Sequence, residues 1–200
     1  MTIQSRLDNI PYKNIETKNG RYHKFYLEDC VSGIRKYLTD NSIDVVITSP
    51  PYNISKNYGS YDDNLPRNEY LLWLGQVGKE IKRVLRNNGS FFLNFGNRPS
   101  DQWLAWDVAN IMREEFKLQN VIHWIKSISI QSEKVAKNQD LPDNITMGHF
   151  KSIVSNRFVN DCHEYIFHFT KDANTKIQKI VNRSSLSRQN KYQEMEVSKG

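Results

Sequence analysis

An α/β fold built around a single sheet is predicted from three observations. Apolar runs of strand length alternate with segments of helical periodicity. One of those strands stops at a Pro-Pro pair, and the chain's size and balance suit one domain. Its 200 residues, 38% hydrophobic and 25% charged, can bury one proper core. No internal repeat or low-complexity tract interrupts the alternation.

Residues 1–21 are polar, without a clear period, and read as an irregular N-terminal extension. Residues 22–27 read as a strand ending at Glu28-Asp29. Val31, Ile34, Tyr37 and Leu38 then fall at helical spacing, and Asp40-Asn41 leads into the apolar run Val45, Val46, Ile47. This is a strand, helix, strand unit. Residues 53–67 hold Gly59, Ser60 and several Asp, Asn and Tyr residues, as an exposed loop does, and are expected to move when no partner is bound. Residues 68–86 carry Leu71, Leu72, Leu74, Val77, Ile81, Val84 and Leu85 in a helical pattern, with Asn88-Gly89 as the stop. Residues 90–95 read as a buried strand. The turn Asn97-Arg98-Pro99-Ser100 follows, with Ser100 or Asp101 capping a helix over 101–116. Residues 121–127 and 164–170 are further strands, separated by a polar segment of some forty residues. Regular alternation of this kind predicts a parallel sheet. Residues 171–200 lose the apolar period and turn rich in Lys, Arg, Asn, Ser and Gln, so that end reads as extended or only partly folded.

The chemistry concentrates in Asp44-Val-Val-Ile-Thr-Ser-Pro-Pro-Tyr-Asn53. Two prolines remove two backbone donors and turn the chain out of the sheet at a fixed geometry. Pro50 keeps its carbonyl acceptor, Ser49 adds a hydroxyl, and Tyr52 sets an aromatic face beside them. Two acceptors and a ring form a pocket for a flat, amino-bearing molecule. The plainer reading of Ser-Pro-Pro-Tyr is a strand-ending turn.

A net charge of +6 favours a polyanionic partner, and the 10 Tyr, 9 Phe and 4 Trp can supply stacking surfaces. Cys30 and Cys162 are too few for a disulfide framework or a four-ligand zinc site, and a reducing cytoplasm is expected. The N-terminus has no apolar signal-like region, and no stretch approaches a membrane span. His163-Glu164 is followed next by His168, so the His-Glu-x-x-His spacing is absent and no metal is expected. Neither a Gly-x-Ser-x-Gly elbow nor a phosphate-binding Walker loop occurs.

At Thr48-Ser49-Pro50-Pro51-Tyr52 the chain resembles the DNA amino-methyltransferases, whose pattern is Ser/Asp/Asn-Pro-Pro-Tyr/Phe; the Ser form is similar to the N4-cytosine branch. Three further stretches resemble the family: residues 89–97 with Phe-Phe-Leu-Asn-Phe-Gly-Asn, the pair Trp124 and Lys126 of a Trp-x-Lys strand, and His163-Glu164-Tyr165-Ile166. The resemblance spans residues 22–171, the catalytic portion. It implies a Rossmann-like sheet of the S-adenosylmethionine-dependent methyltransferases, with double-stranded DNA as partner. A base flipped from the duplex would stack on Tyr52 and donate its amino hydrogens to Ser49 and the Pro50 carbonyl, with Pro51 fixing the corner. Flipping costs a few kcal/mol, which stacking helps offset. The two acceptors draw the amino nitrogen out of conjugation, so that its lone pair attacks the methyl group in line.

Other assignments follow the resemblance and stand beside simpler ones. Asp29 is placed in the cofactor cleft, although an Asp after a strand is most often a helix cap. Asn53 contacts the base or forms a turn. Asn94 and Asn97 end a strand where ligands of open sheets collect, or make loop hydrogen bonds. Trp124 and Lys126 share one strand face: the indole near the base or, by preference, in the core, and the lysine reaching a phosphate. Residues 127–162, with Lys134, Lys137, His149, Lys151 and Arg157 interleaved with Phe150 and Phe158, occupy the family's target-recognition place.

The family's Phe-x-Gly-x-Gly cofactor loop does not occur, nor do the two strands that normally stand between the first strand and the motif strand. The sheet is therefore expected to be incomplete, with an exposed edge. The chain reads as a fragment, a truncated product, or one chain of a split enzyme whose second chain supplies the cofactor half. The function expected is site-specific methylation of cytosine N4 in a restriction-modification system. Adenine N6 methylation and a noncatalytic DNA-binding remnant are the alternatives; RNA or protein methylation is disfavoured by Ser at position 49.

Overall fold

The structure, a computed structural model, describes residues 12–59, 61–130, 145–148, 155–159 and 162–177. Its centre is a four-stranded sheet of β3 (Ile43–Thr48), β4 (Leu85–Phe95), β8 (His163–Thr170) and β5 (Lys117–Ile125), in the order β3-β4-β8-β5. Two small antiparallel pairs stand apart from it: β1 (Tyr12–Glu16) with β2 (Tyr22–Tyr26), and β6 (Ser127–Ile130) with β7 (Ile145–Gly148). Three helices complete the described chain: α1 (Cys30–Tyr37), α2 (Arg67–Val84) and α3 (Leu104–Arg113).

The sheet is mixed where alternation alone predicted a parallel one. β3 and β4 are parallel, with Val46 opposite Phe91 and Thr48 opposite Leu93. β8 is antiparallel to both β4 and β5. The reason is local: the Lys126 amide donates to the Cys162 carbonyl at 2.7 Å, so the chain leaves β5 and enters β8 at the same end of the sheet. Two strands joined from one end must run in opposite directions. Part of the polar segment between them pairs as β6 and β7.

The first strand also differs. Without the two strands that normally separate it from the motif strand, β2 pairs with β1, which arises in a stretch expected to be irregular. Among the described residues β3 is therefore an edge strand bonded only to β4. Val45 (51% exposed) and Ile47 (76%) lie open on one side of it, matching the exposed edge anticipated from the sequence.

Helices α2 and α3 cover one face of the sheet. Tyr70, Leu74 and Ile81 of α2 and Leu104, Val108 and Met112 of α3 pack on Phe91, Leu93, Phe95, Phe167 and Phe169. These sheet residues alternate along their strands, so one face is apolar throughout. Each buried Leu or Phe contributes roughly 1.5–3 kcal/mol. Glu80 ties α1 to α2: its carboxylate takes Arg35 at 2.7 Å and Arg83 at 2.9 Å, and Arg83 in turn donates to the carbonyls of Ile34 in α1 and of Leu38 just after it. Hydrogen bonds from Arg35 outweigh burial and hold the Glu80 carboxyl below its ordinary range.

Element ends shift for identifiable reasons. α2 passes straight into β4, and Gly89 lies inside that strand, where an added Cβ would sit 2.9 Å from the Asp44 carbonyl oxygen. Glycine serves close strand approach there and is not the helix stop that was expected. Neither Ser100 nor Asp101 caps α3; the Asn97 side chain accepts the Ala105 amide at 2.8 Å, and Asp101 pairs with Arg67.

His168 lies 1% exposed in β8, stacked on Phe92. The Asn120 amide donates to Nδ1 at 2.9 Å, which assigns the proton to Nε2, facing the Ser90 hydroxyl at 3.0 Å. Burial disfavours the imidazolium and lowers the His168 pKa below 6.5. The unfolded chain then binds this proton more readily than the folded one, so stability is full above about pH 6.5 and falls below it, by up to ~1.4 kcal/mol per pH unit. Urea midpoints measured from pH 7.5 to 5 are expected to fall in that window, and His168→Gln is expected to flatten that part of the profile.

Candidate active site

Ser49 leaves the end of β3, Asn94 stands near the end of β4, Lys126 follows the end of β5, and Glu164 stands at the start of β8. All four strands deliver a side chain to one end of the sheet. Crevices at the carboxyl ends of strands are where ligands of open α/β sheets bind.

The groups form one network. Ser49 Oγ lies 3.0 Å from the Tyr52 hydroxyl, which donates to Glu164 Oε2 at 3.2 Å. Asn94 Nδ2 donates to the Tyr52 oxygen at 3.0 Å and to Glu164 Oε2 at 2.8 Å. Lys126 Nζ makes an ion pair with Glu164 Oε1. Turning the Asn94 amide would aim its oxygen at a carboxylate, so the charge of Glu164 fixes its orientation; Asn94 Oδ1 is left buried without a partner. Burial acts to raise the Glu164 pKa, but the hydrogen bonds from Lys126 and Asn94 outweigh it and the carboxyl titrates below its ordinary range. Burial raises Tyr52 to about 12, Ser49 opposing and the Glu164 charge adding, so the phenol keeps its proton at neutral pH.

The Tyr52 ring stacks on Phe95, with centroids 4.4 Å apart. Behind it, Gly96 lets the backbone pass: a Cβ there would stand 3.1 Å from Glu164 Cγ and 3.3 Å from Tyr52 Cε2. The Pro-Pro corner is held from below, where the Tyr70 hydroxyl of α2 donates to the Pro51 carbonyl at 2.6 Å. Burial raises the Tyr70 pKa strongly.

The loop after the corner is bonded at both of its ends. Asn53 adopts φ 56°, and its side chain makes two reciprocal bonds with the Leu65 backbone, at 2.7 and 2.8 Å. Asp63, 2% exposed, accepts the backbone N–H groups of Asn53, Ile54 and Lys56 at 2.8, 3.1 and 2.9 Å. Arg98 donates to the Asn53 carbonyl at 2.9 Å. Asn53 thus takes the turn role set beside base contact.

Other residues singled out in the sequence fall as follows. Asp29 caps α1, its Oδ1 accepting Val31 and Ser32 amides at 3.1 and 3.0 Å. Trp124 is 50% exposed, which corrects its preferred placement in the core: it stands opposite Glu164, on the sheet face away from α2 and α3. Lys126 is paired with Glu164. Arg157 is exposed and lies over the Phe158 ring. Lys134, Lys137, His149, Phe150 and Lys151 lie outside the described residues, as do 178–200. Glu164 and Asp63 escaped selection. Glu164 sits two places before Ile166 in a strand that reads as apolar, and Asp63 in a loop with no pattern; only pairing across the fold gives either a role.

A cavity of about 440 Å³ opens beside the corner, walled by Ile34, Ile47, Ser49, Pro50, Trp73 and Met112 among others. Its wall includes Tyr61, whose hydroxyl is buried and without a partner. Among the described residues no group of three His, Cys, Asp or Glu side chains is placed to hold a metal, and no helix is long and apolar enough to cross a membrane.

A strand that ends in a Pro-Pro corner, on a sheet gathering polar groups at that end, defines an open α/β site. The profile of the N6/N4 DNA methylase family matches residues 43–200, and the chain belongs to that family. Its sequence is 44% identical over 69 residues to the type II methyltransferase M.HpaI of Haemophilus parainfluenzae, covering 34% of this chain and 22% of that protein. It is 35% identical over 91 residues to the type II methyltransferase M.MjaVI of Methanocaldococcus jannaschii, covering 44% and 47%. The solved PvuII DNA methyltransferase, described as cytosine-N4-specific, shares the fold with a TM-score of 0.50 at 21% identity, over 74% of this chain and 49% of its own. The chain spans less than half the length of each.

Removing the Asp63 carboxylate strands three backbone donors at once. Asp63→Ala is expected to lower unfolding stability by roughly 2–3 kcal/mol in urea denaturation, and Asp63→Asn by less, since its amide oxygen still accepts.

Proposed function

We propose that this chain carries the base-binding and methyl-accepting half of the chemistry of a DNA amino-methyltransferase, acting on cytosine N4 within a restriction-modification system. The observation that carries the reading is the arrangement at Ser49: a hydroxyl at the end of β3, beside the Pro50 carbonyl and a Tyr52 held rigid on Phe95 and Glu164. Ser49 and Pro50 accept the two amino hydrogens, Tyr52 supplies the stacking face, and Pro51, bonded to Tyr70, keeps the corner in place. Pre-set geometry of this kind is the main lever for an in-line displacement. The Ser-Pro-Pro-Tyr form supports cytosine. Double-stranded DNA as substrate accords with the net charge of +6.

The residues present fit S-adenosylmethionine in part. The cavity beside the corner has the size of a small-molecule site and mainly apolar walls, and the buried Tyr61 hydroxyl offers it a free polar group. Bound there, S-adenosylmethionine supplies an electrophilic methyl group; Ile34, Ile47 and Trp73 would hold its apolar parts. Asp29, one residue before Cys30 of the cavity wall, remains a candidate for a cofactor contact despite its capping bonds. A second chain supplying further cofactor contacts is part of the same proposal. Trp124, with half its surface open at this end of the sheet, is proposed to meet the DNA, with Lys126, Lys151 and Arg157 as the remaining substrate-side residues.

Calorimetric titration of the chain with S-adenosylmethionine, with and without duplex DNA, is expected to give micromolar binding. Absence of binding in both conditions would leave DNA recognition as this chain's only role. Where transfer is measured, the product nucleoside is expected to be N4-methylcytosine; N6-methyladenine would overturn the choice of base. Ser49→Ala and Tyr52→Ala are each expected to abolish transfer while leaving duplex binding within about twofold, since phosphate contacts supply most affinity.

A further inference from the structure

The direction of every hydrogen around Ser49 follows from one carboxylate. Glu164 is ionised and can only accept. Tyr52 therefore commits its single hydrogen to Glu164, at 3.2 Å, and its oxygen is left to accept. It accepts from Asn94 Nδ2 at 3.0 Å and, since nothing else can satisfy the pairing, from Ser49 at 3.0 Å. Ser49 thus turns its own hydrogen inward and presents lone pairs outward. Lys126 sustains the arrangement by keeping Glu164 charged.

We propose that Glu164 is a positioning residue that, through Tyr52, makes Ser49 an obligate hydrogen-bond acceptor. This rests on the methyltransferase reading for the identity of the donor, the exocyclic amino group of the base. The polarity matters chemically. A serine free to donate would place its hydrogen on the amino nitrogen and occupy the lone pair that must attack the methyl carbon. A serine held as an acceptor takes an N–H instead and leaves that lone pair free. Neither Lys126 nor Asn94 can substitute, because both point donors at Glu164.

The polarity can be read without any activity. The full 200-residue chain is labelled with meta-fluorotyrosine, the Tyr52 resonance is assigned by loss in Tyr52→Phe, and its titration is followed by fluorine NMR. Ser49→Ala is expected to raise the Tyr52 pKa, because the phenolate loses a donor. Glu164→Gln is expected to lower it, because an opposing charge is gone. A fall in Ser49→Ala would mean that Tyr52 donates to Ser49, and would overturn the proposal, as would an unchanged value in Glu164→Gln. Unmoved resonances of the other tyrosines check that each variant is folded. Where DNA methylation is measurable, Glu164→Gln is expected to lower kcat about 100-fold with KM for DNA little changed, and Glu164→Asp to recover part of the loss; equal kcat would also overturn it. Wild-type protein that transfers no methyl group to DNA counts against the methyltransferase reading, while the titration still decides the polarity.

Discussion

The parallel pairing of β3 with β4 is the constraint on which the site depends. With Thr48 opposite Leu93, the residue after each falls at the same level, so Ser49 comes to stand beside Asn94. A slip of one residue would turn Asn94 to the helix-covered face and Phe95 to the open one. The same register keeps Phe91, Leu93 and Phe95 under α2 and α3, so burial of the core enforces the geometry of the site. Apolar packing, which has no directional preference of its own, is converted by the two-residue period of a strand into a directional placement of polar groups.

β8 completes the arrangement because it runs backwards. In an all-parallel sheet its first residues would lie at the far end from Ser49. The excursion from Lys126 to Cys162 returns the chain to the end it left, and Glu164 arrives beside Tyr52, Asn94 and Lys126. A carboxylate this shielded would be costly alone, and its three hydrogen-bonding partners offset the loss of water. Gly96 permits the close approach of Glu164 and Tyr52 on one side, and Phe95 supports the Tyr52 ring on the other. The site is therefore held by covalent corner, packing and charge together.

The loop after the corner follows the same principle with a different device. It is crossed by positive φ at Asn53 and Ser55, Asp63 gathers three of its amides, and Asn53 staples it to Leu65. A single buried carboxylate substitutes for the regular hydrogen-bond ladder that an irregular segment lacks. These bonds join the residues that follow the Pro-Pro corner to those just before the start of α2.

The sequence by itself determined the α/β class, the strand ending at Ser49, the helices around 31–39 and 68–86, and the family, because periodicity and a Pro-Pro corner are local properties. It also left an exposed sheet edge foreseeable. Tertiary structure alone decided that β8 is antiparallel, that the first strand pairs with β1, that Trp124 is exposed, and that Glu164 joins the site. Each of these is a pairing between residues far apart in the chain, and local pattern carries no record of which strand a strand will meet. Asn94 and Asn97 show the division well: three residues apart and equally plausible as site residues, one closes on Glu164 and the other on the start of α3. Asn94 lies within β4 while Asn97 falls two residues past its end, in the turn that leads to α3.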